Sequence, residues 1–174
     1  MGSATRGQDG LKERRNTILD RWKALALDVY PERAARFIDS ERDRFQNPVG
    51  HALYESLGSL LDGLLGDVPT EEMREALDGV IRVRAVQDMP ASAAVGFVFL
   101  LKRAAREVLG EAGEDDEGLL QLEDRIDRLA LLAFDQYARC REQIYDLRLR
   151  EVRGRTSKLF ERLAGRYTED PASR

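Results

Sequence analysis

The chain is poor in the residues that carry most protein chemistry, with one cysteine, Cys140, and one histidine, His51. A lone cysteine closes no intramolecular disulfide and forms no C-x-x-C pair. A single imidazole leaves no ligand set for zinc and no cysteine–histidine nucleophile. There is no G-x-S-x-G elbow, phosphate-binding loop or dinucleotide glycine pattern. Glu13, Glu32, Glu41, Asp43, Glu55 and Asp62 lack the Glu-x-x-His pairs that a carboxylate di-metal bundle needs. The expectation is a protein that is not an enzyme and holds no metal and no cofactor.

Long apolar runs and excess positive charge are also missing. The most apolar stretch, Ala91 to Leu101, is about half of the ~20 residues needed to cross hydrocarbon, and Lys102 and Arg103 follow at once. It reads as a core helix, so no membrane insertion is expected. The formal charge is −4. Binding nucleic acid usually needs surplus cations to displace counterions from phosphates, so none is expected. Met1 to Gly10 is polar, with no apolar signal segment, and reads as a disordered leader. Together with the lone cysteine this favours a cytoplasmic location. What remains is 174 residues, 43% apolar and 34% charged, enough for one core beneath well-solvated helix faces.

The five prolines punctuate the chain. Pro31, Pro48 and Pro90 suit first-turn positions, where a missing N–H costs nothing. Asn47 is a good cap, and Thr70 precedes Glu71 and Glu72, which favour the positive end of a helix. The sequence therefore predicts an all-α bundle of six helices, over 10–29, 31–45, 48–65, 70–88, 91–110 and 118–167, with a tail at 168–174. Residues 11–167 form a single domain in this reading. In the first helix Leu11, Arg15, Ile18, Trp22 and Leu25 share one stripe, with Trp22 as packing anchor and the Arg15 stem covering apolar surface. In the third, Leu53, Leu57, Leu60, Leu61 and Leu64 repeat at helical spacing. Gly50, Gly58 and Gly63 interrupt them, predicting close approach of a neighbouring backbone. Val80, Ile81, Val83 and Val86 are β-branched, but without alternation or a hairpin turn they read as helix.

The last helix has no proline, and Gly154 is its only glycine from Leu119 to Leu163. Leu122, Ile126, Leu129, Ala133, Tyr137, Cys140, Ile144 and Leu147 form a near-heptad seam. A helix of about 45 residues would be roughly 65 to 70 Å long, more than a domain this size can cover. The seam therefore predicts a coiled coil with a second copy, a homodimer. Charge is lopsided: eight acidic residues face Arg125 alone between Glu111 and Asp127, whereas Arg139 to Arg166 holds nine basic and four acidic residues. An antiparallel dimer would pair these ends; a parallel one would offer a basic stalk to an acidic partner.

Arg84, Gln87 and Asp88 form a polar group within an apolar stretch. Arg84 and Asp88, four apart, either make an intrahelical pair beside Pro90 or, with Gln87, read an anionic ligand at the mouth of a pocket. His51 is either a hydrogen-bonded structural histidine or an axial ligand for haem or another small cofactor. A third reading makes the chain a structural subunit of a redox or signalling complex.

DRFQNPVGH at Asp43 to His51, IRVRAVQDMPASAAVGFVFLLK at Ile81 to Lys102, and ARCREQIYDLR at Ala138 to Arg148 resemble the RsbRD-type N-terminal domain of stressosome co-antagonists, from about Leu11 to Leu163. The resemblance implies a sensory input module with a helical, globin-like, dimeric fold lacking haem. Such modules commonly precede an output domain. Only Thr168 to Arg174 follow Tyr167 here, so the expectation is that the signal passes to a separate signalling protein.

Overall fold

The computed structural model describes residues 10–28, 48–66, 70–110 and 117–168. Every regular element among them is helical. A single turn over 10–13 leads into α1 (Arg15–Leu27), followed by α2 (Pro48–Leu65), α3 (Thr70–Val86), α4 (Ala91–Leu109) and α5 (Glu117–Thr168). These elements follow the proline-punctuated segmentation to within a few residues, except that Arg14 breaks the first helix. The helix expected at 31–45, the leader and the tail after Thr168 lie outside the described residues.

The helices close a ring, with α1 against α2 and α4, α3 against α2 and α5, and α4 along α5. Burying one apolar stripe from each gives a common core. Trp22 sits in it fully buried. Its ring stacks on Phe97 with centroids 6.0 Å apart and planes 10° from parallel. Its indole N–H donates to the Phe97 carbonyl oxygen at 2.7 Å, tying α1 to α4. Leu57, Leu60 and Leu61 of α2 and Ile81 and Ala85 of α3 complete the centre.

Local chemistry sets the ends. α4 starts after Pro90, whose φ of −63° and ψ of 150° make it the cap rather than a first-turn residue. It stops at Gly110, where φ is +63° and the N–H donates to the Arg106 carbonyl oxygen, a conformation that suits a residue without Cβ. Gly58 and Gly63 of α2 do admit close neighbours, but these are side chains and not backbone. A Cβ on Gly63 would collide with the Met73 side chain, and one on Gly58 would touch Arg15 and Leu19. Arg15 also does more than cover surface: it holds both carboxylate oxygens of Asp62, at 2.5 and 2.6 Å, and so joins α1 to α2.

α5 is one continuous helix of 52 residues, about 78 Å long at the usual rise. It is much longer than the bundle it joins. Its first half completes the core, and α4 lies antiparallel along it through Lys102–Asp127 and Arg106–Glu123 ion pairs. From Tyr145 to Glu161 every side chain is exposed, so this part of α5 is an arm.

Candidate functional site

The structure turns the predicted dimer seam inward. Leu122, Ile126, Leu129, Ala133 and Cys140 are buried in this chain's own core, and Tyr137 and Ile144 are partly buried against it. α3 and α4 pack on that stripe and cover it, which corrects the expectation that a second copy does so. Leu147 alone of the eight is an exposed large hydrophobic residue. Burial also raises the Cys140 thiol above its ordinary range, with the nearby Asp78 carboxylate adding to it, which makes Cys140 a poor nucleophile.

A different apolar stripe lies roughly half a turn round α5, through Leu120, Leu131 and Phe134, with Tyr145, Leu149 and Val152 further along. Leu131 is 70% and Phe134 53% exposed. The two α4–α5 ion pairs set a register that brings Phe99, itself 48% exposed, level with the turn of α5 carrying Leu131 and Phe134. Beside Phe99, Gly96 has open space where a Cβ would point.

Arg84, Gln87 and Asp88 do not form one patch. Helix α3 ends at Val86, and Asp88 has φ of +56°, which turns its carboxylate away from the helical face that Arg84 occupies. Arg84 is fully buried and not at a pocket mouth. Its guanidinium lies 4.4 Å from the Phe97 ring centroid, and Nη1 donates to the carbonyl oxygens of Ala93 and Ala94 at 3.3 and 3.4 Å. Gln87 is exposed. His51 lies on the first turns of α2, with Nε2 3.1 Å from Oε1 of Glu55, and none of the described contacts joins it to Arg84, Gln87 or Asp88. A groove of about 320 Å³ is lined elsewhere, by Gly63, Met73, Arg125, Arg128 and Leu132 among others. Among the described residues, no group of three His, Cys, Asp or Glu side chains could hold a metal ion.

The structure instead assembles a clamp that the sequence did not reveal. Asp88 accepts hydrogen bonds from Arg141 and, at 3.1 Å, from Arg148. Arg141 also donates to the Ala85 carbonyl oxygen at 3.2 Å, the same oxygen that accepts the Asp88 N–H at the end of α3. Its other terminal nitrogen reaches the Tyr145 hydroxyl at 3.0 Å. The Tyr137 hydroxyl donates to the Met89 carbonyl oxygen at 2.6 Å. Residues 137, 141, 145 and 148 are spaced to fall along one side of a helix, and that spacing was the available signal. Its partner was hidden, because Asp88 meets them only by leaving the helix.

Hydrogen bonds from Arg141 and then Arg148 hold the Asp88 carboxyl below the usual carboxylate range. Since the folded value is the depressed one, the contribution is complete above the unfolded value of about 4 and is lost only as pH falls below it. Asp88→Asn keeps a residue that tolerates positive φ and removes the charge. The stability difference between wild type and D88N, followed by circular dichroism, should be constant near neutrality and shrink in acid. A difference that grows in acid would refute the assignment.

The described structure is thus a helical domain whose accessible features are contact surfaces: an apolar face, a clamped turn and a projecting arm. Residues 16–152 match the family described as the RsbT co-antagonist protein rsbRD N-terminal domain, and the chain belongs to that family. This is a family of stressosome-related regulatory domains. No curated protein and no solved structure matches the chain. No helix among the described residues is long and apolar enough to cross a membrane.

Proposed function

We propose that the domain is a non-catalytic input module that works as a dimer and passes its signal to another protein through α5. The single observation carrying this reading is that α5 starts inside the core, is clamped to the α3–α4 turn by Asp88, and continues as an exposed arm. Any change in the position of that turn acts on the base of the arm. A ligand or partner transmits a signal only by binding two such arrangements unequally.

The dimer contact assigned here is the outward face with Phe99, Leu131 and Phe134, in place of the buried seam. Contiguous exposed apolar residues of this size are unusual on a monomer. Sedimentation equilibrium of the full chain at tens of micromolar should show a dimer. Phe134→Asp should raise its dissociation constant at least about tenfold, equivalent to ~1.4 kcal/mol, with unchanged helicity. A wild-type monomer under these conditions would overturn the dimer.

A further inference from the structure

The arm carries a second heptad pattern. Tyr145, Leu149, Val152, Thr156 and Leu159 follow steps of four and three, so they fall on one seam. All are exposed. An exposed seam of this kind is built to be covered by another helix. The flanks show which one.

Arg148 and Arg155 border one edge, and Asp146 and Arg153 border the other, with Arg150 and Lys158 further round the helix. Among the described residues, Arg150, Arg153, Arg155 and Lys158 make no ion pair, while Arg148 pairs with Asp88. Two copies of the arm would each bring three arginines and one aspartate to the edges of the seam. In a parallel pair, Arg148 meets the residue five further on in the other copy, Arg153. In an antiparallel pair, like edges meet, which sets Arg148 against Arg155 on one side and Asp146 against Arg153 on the other, leaving no net gain. Like charges facing across a seam disfavour pairing.

Part of the acidic segment of a second copy is already taken. Glu123, Asp124 and Asp127 are already engaged by Arg106, Arg128 and Lys102 of their own chain. Moving them to another arm would break those pairs. A duplex nucleic acid would satisfy the arginines but leave Leu149, Val152 and Leu159 in water.

We infer that the arm of α5 is a docking site for an acidic amphipathic helix of a separate protein, which covers the seam at 145–159 and places carboxylates against Arg153 and Arg155. The inference rests on reading α5 as the output element and names the chemistry of its partner. It does not require the dimer.

The test uses the full chain and a labelled synthetic peptide of about four heptads, with Leu and Val on its seam and Glu on both edges. Two matched peptides carry Lys on the edges, or Glu on the edges with Ser on the seam. Fluorescence anisotropy should show the Glu–Leu peptide binding at least about tenfold tighter than either, and less tightly as salt rises. Val152→Asp should abolish the preference. R153E/R155E should transfer it to the Lys peptide. Circular dichroism checks that each variant folds, which exposed positions allow.

Equal binding of Glu and Lys peptides, undiminished binding of the Ser-seam peptide, or displacement by a short DNA duplex at equal concentration would each overturn the inference. Sedimentation of the same samples separates the two readings. A monomer that selects the acidic peptide keeps the partner and removes the dimer, whereas a dimer indifferent to peptide charge does the reverse.

Discussion

Trp22→Ala is expected to destabilise the protein by about 3 to 5 kcal/mol, the usual range for truncating a buried tryptophan. The indole is fully buried and links two helices that are far apart in sequence, through a stacked ring and a hydrogen bond to a backbone carbonyl oxygen. Removing it leaves a cavity bordered by Phe97, which the backbones of α1 and α4 cannot both close around. A domain of ordinary stability has roughly 5 to 15 kcal/mol in all, so the variant would lose a large share. Trp22→Phe keeps the ring stack but loses the N–H donor, and should cost less, about 1 to 2 kcal/mol. Urea denaturation followed by circular dichroism measures both. It must be run at one protein concentration, because a dimer ties apparent stability to concentration. A cost for Trp22→Ala below about 1 kcal/mol would show that the core is not organised around this residue.

Much of this architecture was legible from residue pattern because the relevant signals are local. Proline and cap residues give the starts of α2, α3 and α4, and three- and four-residue spacing gives the buried faces of α1 and α2. The length of α5 could be read from the near absence of breakers. What could not be read is which of its two apolar stripes meets the bundle. Leu122, Ile126 and Leu129 on one side, and Leu131, Phe134 and Leu149 on the other, are equally hydrophobic as letters. Their difference is set by where α3 and α4 dock, which is tertiary information. The same holds for Arg84 and Asp88. Four residues apart, they read as an intrahelical pair, and only the departure of Asp88 into positive φ sends one side chain inward and the other to α5.

That divergence makes Arg84 the second position where a large effect is expected. Arg84→Ala should cost about 3 to 5 kcal/mol, comparable to large core truncations. The guanidinium is fully buried over the face of Phe97 and donates to two carbonyl oxygens of the first turn of α4. A desolvated cation over an aromatic face contributes about 2 kcal/mol, and the volume of the side chain supplies the rest. Arg84→Lys should recover only part, because a compact, strongly hydrated ammonium neither stacks as a plane nor tolerates this burial well. Since Arg84 and Trp22 both pack on Phe97, at 4.4 Å and 6.0 Å from its ring centroid, their losses should not add. A double-mutant cycle of Arg84→Lys with Trp22→Phe should return a coupling of about 0.5 kcal/mol or more. Loosening Arg84 should also reach the arm, because the Arg84 carbonyl oxygen accepts the N–H of Met89 in the turn that Tyr137 and Asp88 hold against α5. Hydrogen exchange in Arg84→Lys should therefore rise at 137–148 as well as at 84–90. Faster exchange confined to α3 would mean that the buried cation stabilises the core without communicating with the arm.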